Sequence, residues 1–178
     1  SELPARVFNP THINRRKALF EEAVPLARAG CTVDITAFPV EDDEDAWAAD
    51  VALGKYLDAG APADRITISS DGGGCLPVFN EQGEMLKMDI GRPASLVKTL
   101  TDLLDGGRPL AAVLPAFTSN VADILRLGDR GRIREENAAD LLVLADDNHV
   151  SDVMAAGIWH VKDGKQCVFG QFESVDNH

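Results

Sequence analysis

Asp71 is followed by three consecutive glycines, in the segment Ser-Ser-Asp-Gly-Gly-Gly-Cys. An Asp-Gly pair alone is common in turns. Three glycines in a row lose much conformational entropy on folding, and they are tolerated mainly where backbone approaches a ligand or adopts positive φ. A phosphate-binding P-loop is excluded, because Cys75, Leu76 and Pro77 stand where Lys and then Ser or Thr would be needed. The pattern therefore favours a functional role for Asp71.

His12 and Arg15 lie three residues apart in the segment Pro-Thr-His-Ile-Asn-Arg. A lone histidine is more often structural than functional, and an arginine is an ordinary surface residue. Arg15 nevertheless begins a predicted helix, where a positive charge opposes the helix dipole and is mildly unfavourable. A guanidinium at the mouth of a site can bind a carboxylate through two parallel hydrogen bonds. Arg15 is therefore a candidate for binding a carboxylate.

Two further polar residues allow more than one interpretation. Cys75 could be a nucleophile, but no histidine lies near it in the sequence, so a wall residue is favoured. Asp34 falls in the middle of a β-rich run. It is either buried and hydrogen-bonded or exposed at the mouth of a site.

The elements that position these residues alternate between strand and helix over the first seventy residues. The apolar pattern predicts strands at residues 5–9, 31–37 and 65–70, with amphipathic helices over 14–29 and 47–59 between them. Such βα units build a parallel sheet, either open or closed into a barrel. Both architectures place their active sites at the C-terminal ends of strands, where His12 and Asp71 are expected.

The middle of the chain gives weaker signals. Glycines and prolines punctuate residues 76–93, which are predicted to form a loop. Helices are expected from about residue 94 to 104 and from 118 to about 127, the second capped by Thr118 or Ser119. Residues 108–117 are apolar but hold two prolines and receive no assignment.

After Gly128 the pattern changes to short strands separated by turns. Strands are predicted at 139–144, 152–155, 158–162 and 166–169, and Asp163-Gly164 indicates a tight hairpin turn. These strands predict a small β-rich appendage. We therefore divide the chain into a first domain, 1–127, and a β-domain, 128–178.

Composition excludes several classes of partner. The chain has 178 residues and a formal net charge of −12 at pH 7, which argues against a nucleic-acid partner because phosphate binding needs clustered Lys and Arg. No run of about 18 apolar residues is present, so no membrane span is expected. The three cysteines include no CxxC pair, which indicates a reducing compartment and a cytoplasmic location.

Three segments resemble the last three barrel strands of the isoaspartyl dipeptidases in the amidohydrolase superfamily: Pro-Thr-His-Ile-Asn-Arg, Val-Asp-Ile-Thr and Ile-Ser-Ser-Asp-Gly-Gly-Gly. Thr-Ser-Asn-Val-Ala and Ala-Asp-Leu-Leu-Val resemble the passage from barrel to small β-domain in that superfamily. The resemblance covers nearly the whole chain. It implies an α/β fold, with the C-terminal βα units of a (β/α)8 TIM-type barrel and a small β-rich appendage.

The resemblance also implies a site. That family binds two zinc ions through a His-x-His pair, a carboxylated lysine, two further histidines and an aspartate. His12 matches the histidine after the sixth strand, and Asp71 matches the aspartate after the eighth, which also carries the proton. Arg15 matches an arginine that binds a substrate carboxylate. Cys75 stands where the family usually has a serine that contacts substrate.

The implied function is zinc-dependent hydrolysis of the isoaspartyl, or β-aspartyl, bond in small dipeptides. The other zinc ligands would belong to the N-terminal part of the barrel, which this chain lacks, so the chain alone is expected to be inactive. The opening run Arg6-Val7-Phe8 also looks like a strand that continues earlier structure. A homo-oligomer is expected for the whole protein.

Two alternatives stay open. The chain could come from another amidohydrolase branch, such as a dihydroorotase, hydantoinase or D-aminoacylase relative, although Arg15 and the glycines after Asp71 count against this. It could also be a non-catalytic fragment or interaction module. Metal content would separate the enzymes from the interaction module.

Overall fold

The structure is a computed structural model that describes residues 3–80, 82–171 and 173. The chain divides into two compact units, the first ending at Arg126 and the second beginning at Leu127. Each unit is built around its own secondary structure.

A pair of parallel strands forms the centre of the first unit. β1 (Val33–Thr36) and β2 (Ile66–Ser69) pair in register from Val33 opposite Ile66 to Thr36 opposite Ser69. Both strands are almost entirely buried, as expected for a parallel sheet that is covered on both faces. The predicted parallel pairing is confirmed, and each strand is a few residues shorter than its apolar run.

Helices surround this strand pair. The α-helices of the first unit are α1 (Lys17–Arg28), α2 (Ala49–Asp58), α3 (Ala94–Asp105), α4 (Leu110–Val113) and α5 (Ser119–Leu125). Short 3-10 turns occupy Ala5–Val7, Ile13–Arg15, Ala63–Arg65 and Leu114–Phe117. The apolar faces of the first three helices join the strands in one core, which includes Phe20, Val24, Val33, Ile35, Leu53, Tyr56, Ile66, Leu100 and Leu103. Burial of these side chains is the main force that fixes the strand ends in place.

The strand predicted at residues 5–9 is wrong. Ala5–Val7 is a 3-10 turn, in which the amides of Val7 and Phe8 donate to the carbonyls of Pro4 and Ala5. These peptide groups are therefore bonded within the segment and do not pair with a neighbouring strand. The carbonyl of Pro10 accepts a hydrogen bond from the amide of Asp34 at 2.9 Å. This bond holds the segment before His12 against β1, although the segment is not a strand.

The loop predicted at residues 76–93 is also wrong, because most of this segment is a β-hairpin. β3 (Cys75–Phe79) pairs antiparallel with β4 (Met85–Ile90). Leu76 and Val78 alternate inward and are buried, which outweighs the local proline signal. Pro77 is compatible with β3 because β3 has one free edge in the described structure.

The cap predicted for the last helix of this unit is not formed. Thr118 directly precedes α5, but its hydroxyl donates to the carbonyl of Leu114 at 2.9 Å. Asn120 instead ties α5 to the strand pair, since its side-chain amide donates to the carbonyls of Ala63 and Ile66, both at 2.8 Å. The unassigned residues 108–117 contain α4 and the 3-10 turn that follows it.

The second unit is a four-stranded antiparallel meander. Its strands, in spatial as well as chain order, are β5 (Leu141–Leu144), β6 (Val150–Ala155), β7 (Ile158–Lys162) and β8 (Lys165–Gln166). Asp163 and Gly164 both have positive φ, at 51° and 71°, which confirms the predicted two-residue turn. No helix in the described parts of either unit is long and apolar enough to cross a membrane.

Candidate functional site

His12 lies beside the C-terminal end of β1, held by a buried threonine. A hydrogen bond of 2.6 Å joins Nδ1 of His12 to the hydroxyl of Thr36, the last residue of β1. His12 also has a left-handed backbone, with φ of 59°, which is unusual for a residue other than glycine. This geometry directs Nε2, the free nitrogen of the ring, toward Asp71.

Asn14 fixes the turn that carries His12. This asparagine is fully buried, and its side chain donates to the carbonyls of Thr36 and Trp47 at 2.9 and 2.8 Å and accepts from the amide of Thr36 at 2.9 Å. The turn Ile13–Arg15 is therefore bonded to the end of β1 on both its donor and acceptor sides. Because His12 and Arg15 lie on either side of Asn14, the hydrogen bonds of Asn14 also fix their positions.

Asp71 follows the end of β2, and the glycines around it are required by close packing. It too has positive φ, at 47°. A Cβ atom on Gly74 would lie 2.3 Å from Oδ1 of Asp71, and one on Gly91 would lie 1.9 Å from the Asp71 carbonyl oxygen. Gly73 has φ of 82°, so it needs glycine for its backbone conformation. The glycine loop thus holds the Asp71 carboxylate at the strand end, and no bound phosphate is needed to explain it.

His12 and Asp71 meet at this edge. Nε2 of His12 lies 4.0 Å from Oδ2 of Asp71, and both side chains are about 30% exposed. A histidine that ligates a metal through one ring nitrogen normally hydrogen-bonds through the other, as His12 does with Thr36. The pair therefore fits two positions of a zinc site, which needs about four ligands. Among the described residues no group of three or more His, Cys, Asp or Glu is arranged to hold a metal.

Arg15 reaches across to the start of the hairpin. Its Nη2 donates to the main-chain carbonyl of Cys75 at 3.3 Å, a long hydrogen bond at an exposed position. The Cys75 side chain is exposed at the first position of β3. The structure thus brings the four residues singled out in the sequence to one edge of the strand pair, through direct contacts or closeness in the chain. They are His12, Arg15, Asp71 and Cys75.

Asp34, left open by the sequence, is buried and hydrogen-bonded. Its carboxylate accepts hydrogen bonds from the hydroxyls of Thr11, Thr67 and Ser69 at 2.8, 2.7 and 2.6 Å. Sequence reasoning missed Thr11, Thr36 and Asn14 as residues that organise the site. Their partners lie 22 to 33 positions away, so no local pattern could reveal them.

Comparison with solved structures gives close matches over almost the whole chain. A β-aspartyl dipeptidase from Fervidobacterium islandicum AW-1, in complex with a β-Asp-Leu dipeptide, is 32% identical with a TM-score of 0.83, over 97% of this chain and 44% of that one. A second structure of that organism's β-aspartyl dipeptidase is 29% identical with a TM-score of 0.78, over 97% of this chain and 42% of that one. The predicted resemblance to the β-aspartyl dipeptidases is confirmed.

More distant structures share the fold alone. An adenosine deaminase from Xanthomonas campestris with bound zinc is 16% identical with a TM-score of 0.51, over 91% of this chain and 38% of that one. No protein-family model matches the chain. The α/β fold therefore matches part of amidohydrolase TIM-barrel proteins, and the chain spans less than half the length of the dipeptidases it resembles.

Proposed function

We propose that this chain forms the C-terminal βα units of an amidohydrolase barrel and supplies part of the active site of a zinc-dependent β-aspartyl dipeptidase. The observation that carries the proposal is the approach of His12 and Asp71 to 4.0 Å, with Arg15 anchored beside them. The similarity to a β-aspartyl dipeptidase that holds a β-Asp-Leu dipeptide supports this choice of substrate. On its own, the chain would be inactive, since it offers two ligand positions.

His12 and Asp71 would hold zinc through an imidazole nitrogen and a carboxylate oxygen. When bound, zinc supplies a Lewis acid that activates water and polarises the scissile carbonyl. The hydroxyl of Thr36 keeps Nδ1 of His12 occupied, so Nε2 is the nitrogen presented to the metal. The remaining ligands would come from residues outside this chain.

Asp71 would also move the proton. Its carboxylate takes a proton from the attacking water as the new C–O bond forms, and returns it to the amide nitrogen as the C–N bond breaks. The products are a carboxylic acid and a free amine. The glycine loop suits this role because it places the carboxylate at the strand end without covering it.

Arg15 would bind a carboxylate of the dipeptide. An isoaspartyl dipeptide carries carboxylates that a planar guanidinium can bind with two parallel hydrogen bonds. Among the described residues, the Arg15 side chain makes one long hydrogen bond, to the Cys75 carbonyl, and its other donors are proposed to bind substrate. Cys75 is exposed at the start of β3 and its main-chain carbonyl accepts the Arg15 hydrogen bond, so its side chain is proposed to contact substrate.

The proposal is tested in a complete enzyme that contains this chain, with β-aspartyl-leucine as substrate. Asp71→Asn should lower kcat by roughly 10²- to 10⁴-fold at full zinc occupancy, because the proton carrier is lost. Arg15→Ala should lower kcat/KM by about ten- to a hundredfold and Arg15→Lys should recover only part of it. Asp64→Asn, at an exposed aspartate paired with Arg65, is the matched control and should change neither parameter. Wild-type activity in Asp71→Asn would contradict the proposal.

A further inference from the structure

One buried carboxylate joins the two chain segments that carry the candidate ligands. Oδ2 of Asp34 accepts hydrogen bonds from the hydroxyls of Thr11 and Ser69, at 2.8 and 2.6 Å. Thr11 is the residue before His12, and Ser69 is two residues before Asp71. A single oxygen atom therefore bridges the His12 segment to the end of β2.

The main chain of Asp34 reinforces this bridge. Its amide donates to the carbonyl of Pro10 at 2.9 Å, so both backbone and side chain of Asp34 hold the segment that leads into His12. Its other carboxylate oxygen, Oδ1, accepts from the hydroxyl of Thr67, the residue directly opposite it in β2. The Thr67 bond joins the two strands but lies farther along the chain from either ligand.

The charge of Asp34 is not explained by packing. The residue is only 6% exposed, and it forms no ion pair within the described part of the chain. A buried carboxylate without a cation is costly, and an apolar side chain at such a position would usually be at least as stable. Its hydroxyl partners offset part of that cost, but each of them must be held in one orientation.

We infer that Asp34 is a positioning residue that sets the separation of His12 and Asp71 through Thr11 and Ser69. This inference rests on the proposed function, since it assigns Asp34 to the metal site of that function. Asp34 is buried and both its carboxylate oxygens accept hydrogen bonds from hydroxyls, so its proposed action is through Thr11 and Ser69. It acts by fixing the segment before His12 relative to the end of β2, so that an imidazole nitrogen and a carboxylate oxygen face the same point.

Four variants of a complete enzyme that contains this chain, each prepared free of metal, separate positioning from packing. Asp34→Asn keeps the shape and removes the charge, while Thr11→Val and Ser69→Ala each remove one bond to a ligand-bearing segment. Thr67→Val is the matched control, because it removes the same kind of bond from the same carboxylate without touching either ligand segment. Zinc chloride is titrated into each protein, and Kd is read from the NMR shift of the His12 imidazole.

The expected increase in Kd is about ten- to a hundredfold for Asp34→Asn and roughly three- to tenfold for Thr11→Val and Ser69→Ala, with less than about a twofold change for Thr67→Val. Equal effects of all three hydroxyl variants would overturn the inference, because they would indicate a general loss of packing. An unchanged Kd in Asp34→Asn would also overturn it. If Asp34→Asn does not fold, the inference is tested by comparing Kd of Thr11→Val and Ser69→Ala with that of Thr67→Val.

Failure of the proposed function has a different signature. If zinc does not shift the His12 signal of the complete wild-type enzyme, the metal site is wrong and the Kd comparison is replaced by metal-free crystal structures. The separation of Nε2 of His12 and Oδ2 of Asp71 is 4.0 Å in the present structure. It should change in crystals of Ser69→Ala and stay the same in Thr67→Val. An unchanged separation in Ser69→Ala would overturn the positioning role.

Discussion

One aspartate is buried among the described residues of each unit, and the two carboxylates have different kinds of hydrogen-bond partner. Asp34, in the first unit, accepts hydrogen bonds only from hydroxyl side chains, whose residues lie 23 to 35 positions away in the sequence. Asp152, in the second unit, is bonded to the Asp163 amide, the Ser151 hydroxyl and the Lys162 ammonium, all within eleven positions. One carboxylate joins distant segments, and the other closes a hairpin.

The partners of Asp152 suit a structural role in a turn, whereas those of Asp34 lie beside the candidate site. Asp152 has a cation at 3.0 Å and a backbone donor at 2.9 Å, which is what a carboxylate needs to stabilise a turn. Asp34 lacks a cation among the described residues, yet two of its hydroxyl partners, Thr11 and Ser69, lie one and two residues before His12 and Asp71. At the edge where function is proposed, buried polar side chains join segments that are distant in the sequence.

The largest expected effect tests whether the first unit depends on such long-range bonds. Asn14→Ala should lower the free energy of unfolding of this unit by about 3 kcal/mol, since it leaves the buried amide and carbonyl of Thr36 without their partner. Asn137→Ala, in the second unit, removes one local bond to the Arg132 carbonyl and should cost about 1 kcal/mol or less.

Urea unfolding measures both changes, because each unit has one tryptophan. Trp47 reports on the first unit and Trp159 on the second, and replacing one of them with Phe isolates the other signal. Equal losses in the two variants would break the comparison between long-range and local polar contacts.

A smaller effect concerns the pH dependence of the second unit. The Asp163 amide, the Ser151 hydroxyl and the Lys162 ammonium lower the pKa of Asp152 from 3.8 to about 2. A lowered pKa in the folded state means that the stabilisation is complete above the ordinary pKa and is lost as the pH falls toward 2. Stability of the β-sheet should therefore decline between pH 4 and pH 2, with Trp159 fluorescence as the measure.

Asp152→Asn is the variant that sharpens this result. It cannot titrate, so its stability at pH 5 should be lower than that of the wild type and should change less as the pH falls from 4 to 2. A steeper decline in Asp152→Asn than in the wild type would show that other groups control the acid unfolding of this sheet.

The parts of the fold that local patterns determine could be predicted from the sequence. β1, β2 and the hairpin at Asp163-Gly164 follow from β-branched runs and from a turn pair that accepts positive φ. The hairpin β3–β4 was predicted as a loop, because Pro77 and nearby glycines outweighed a short alternation whose buried face depends on tertiary contacts. The strand prediction for residues 5–9 is wrong for the opposite reason. This apolar run forms hydrogen bonds within itself, as a 3-10 turn, and does not pair with a strand.

The residues of the candidate site also fall into those that the sequence reveals and those that only the structure reveals. His12, Arg15, Asp71 and Cys75 could be singled out because motifs carry them, and the structure brings them to one edge. The residues that hold them, Thr36, Asn14 and Asp34, could not be assigned, because hydroxyl and amide partners two dozen residues away leave no local signal. The resemblance predicts the chemistry, and only three-dimensional contacts reveal which residues hold the candidate ligands in place.

The most direct test of the account is the position of zinc. Crystals of a complete enzyme that contains this chain, measured at the zinc absorption edge, should show an anomalous peak within about 2.2 Å of Nε2 of His12 or of an Asp71 carboxylate oxygen, with both residues serving as ligands of the same metal centre. Zinc bound elsewhere, with His12 and Asp71 both free of metal, would contradict the assignment of this strand-end edge as the active site.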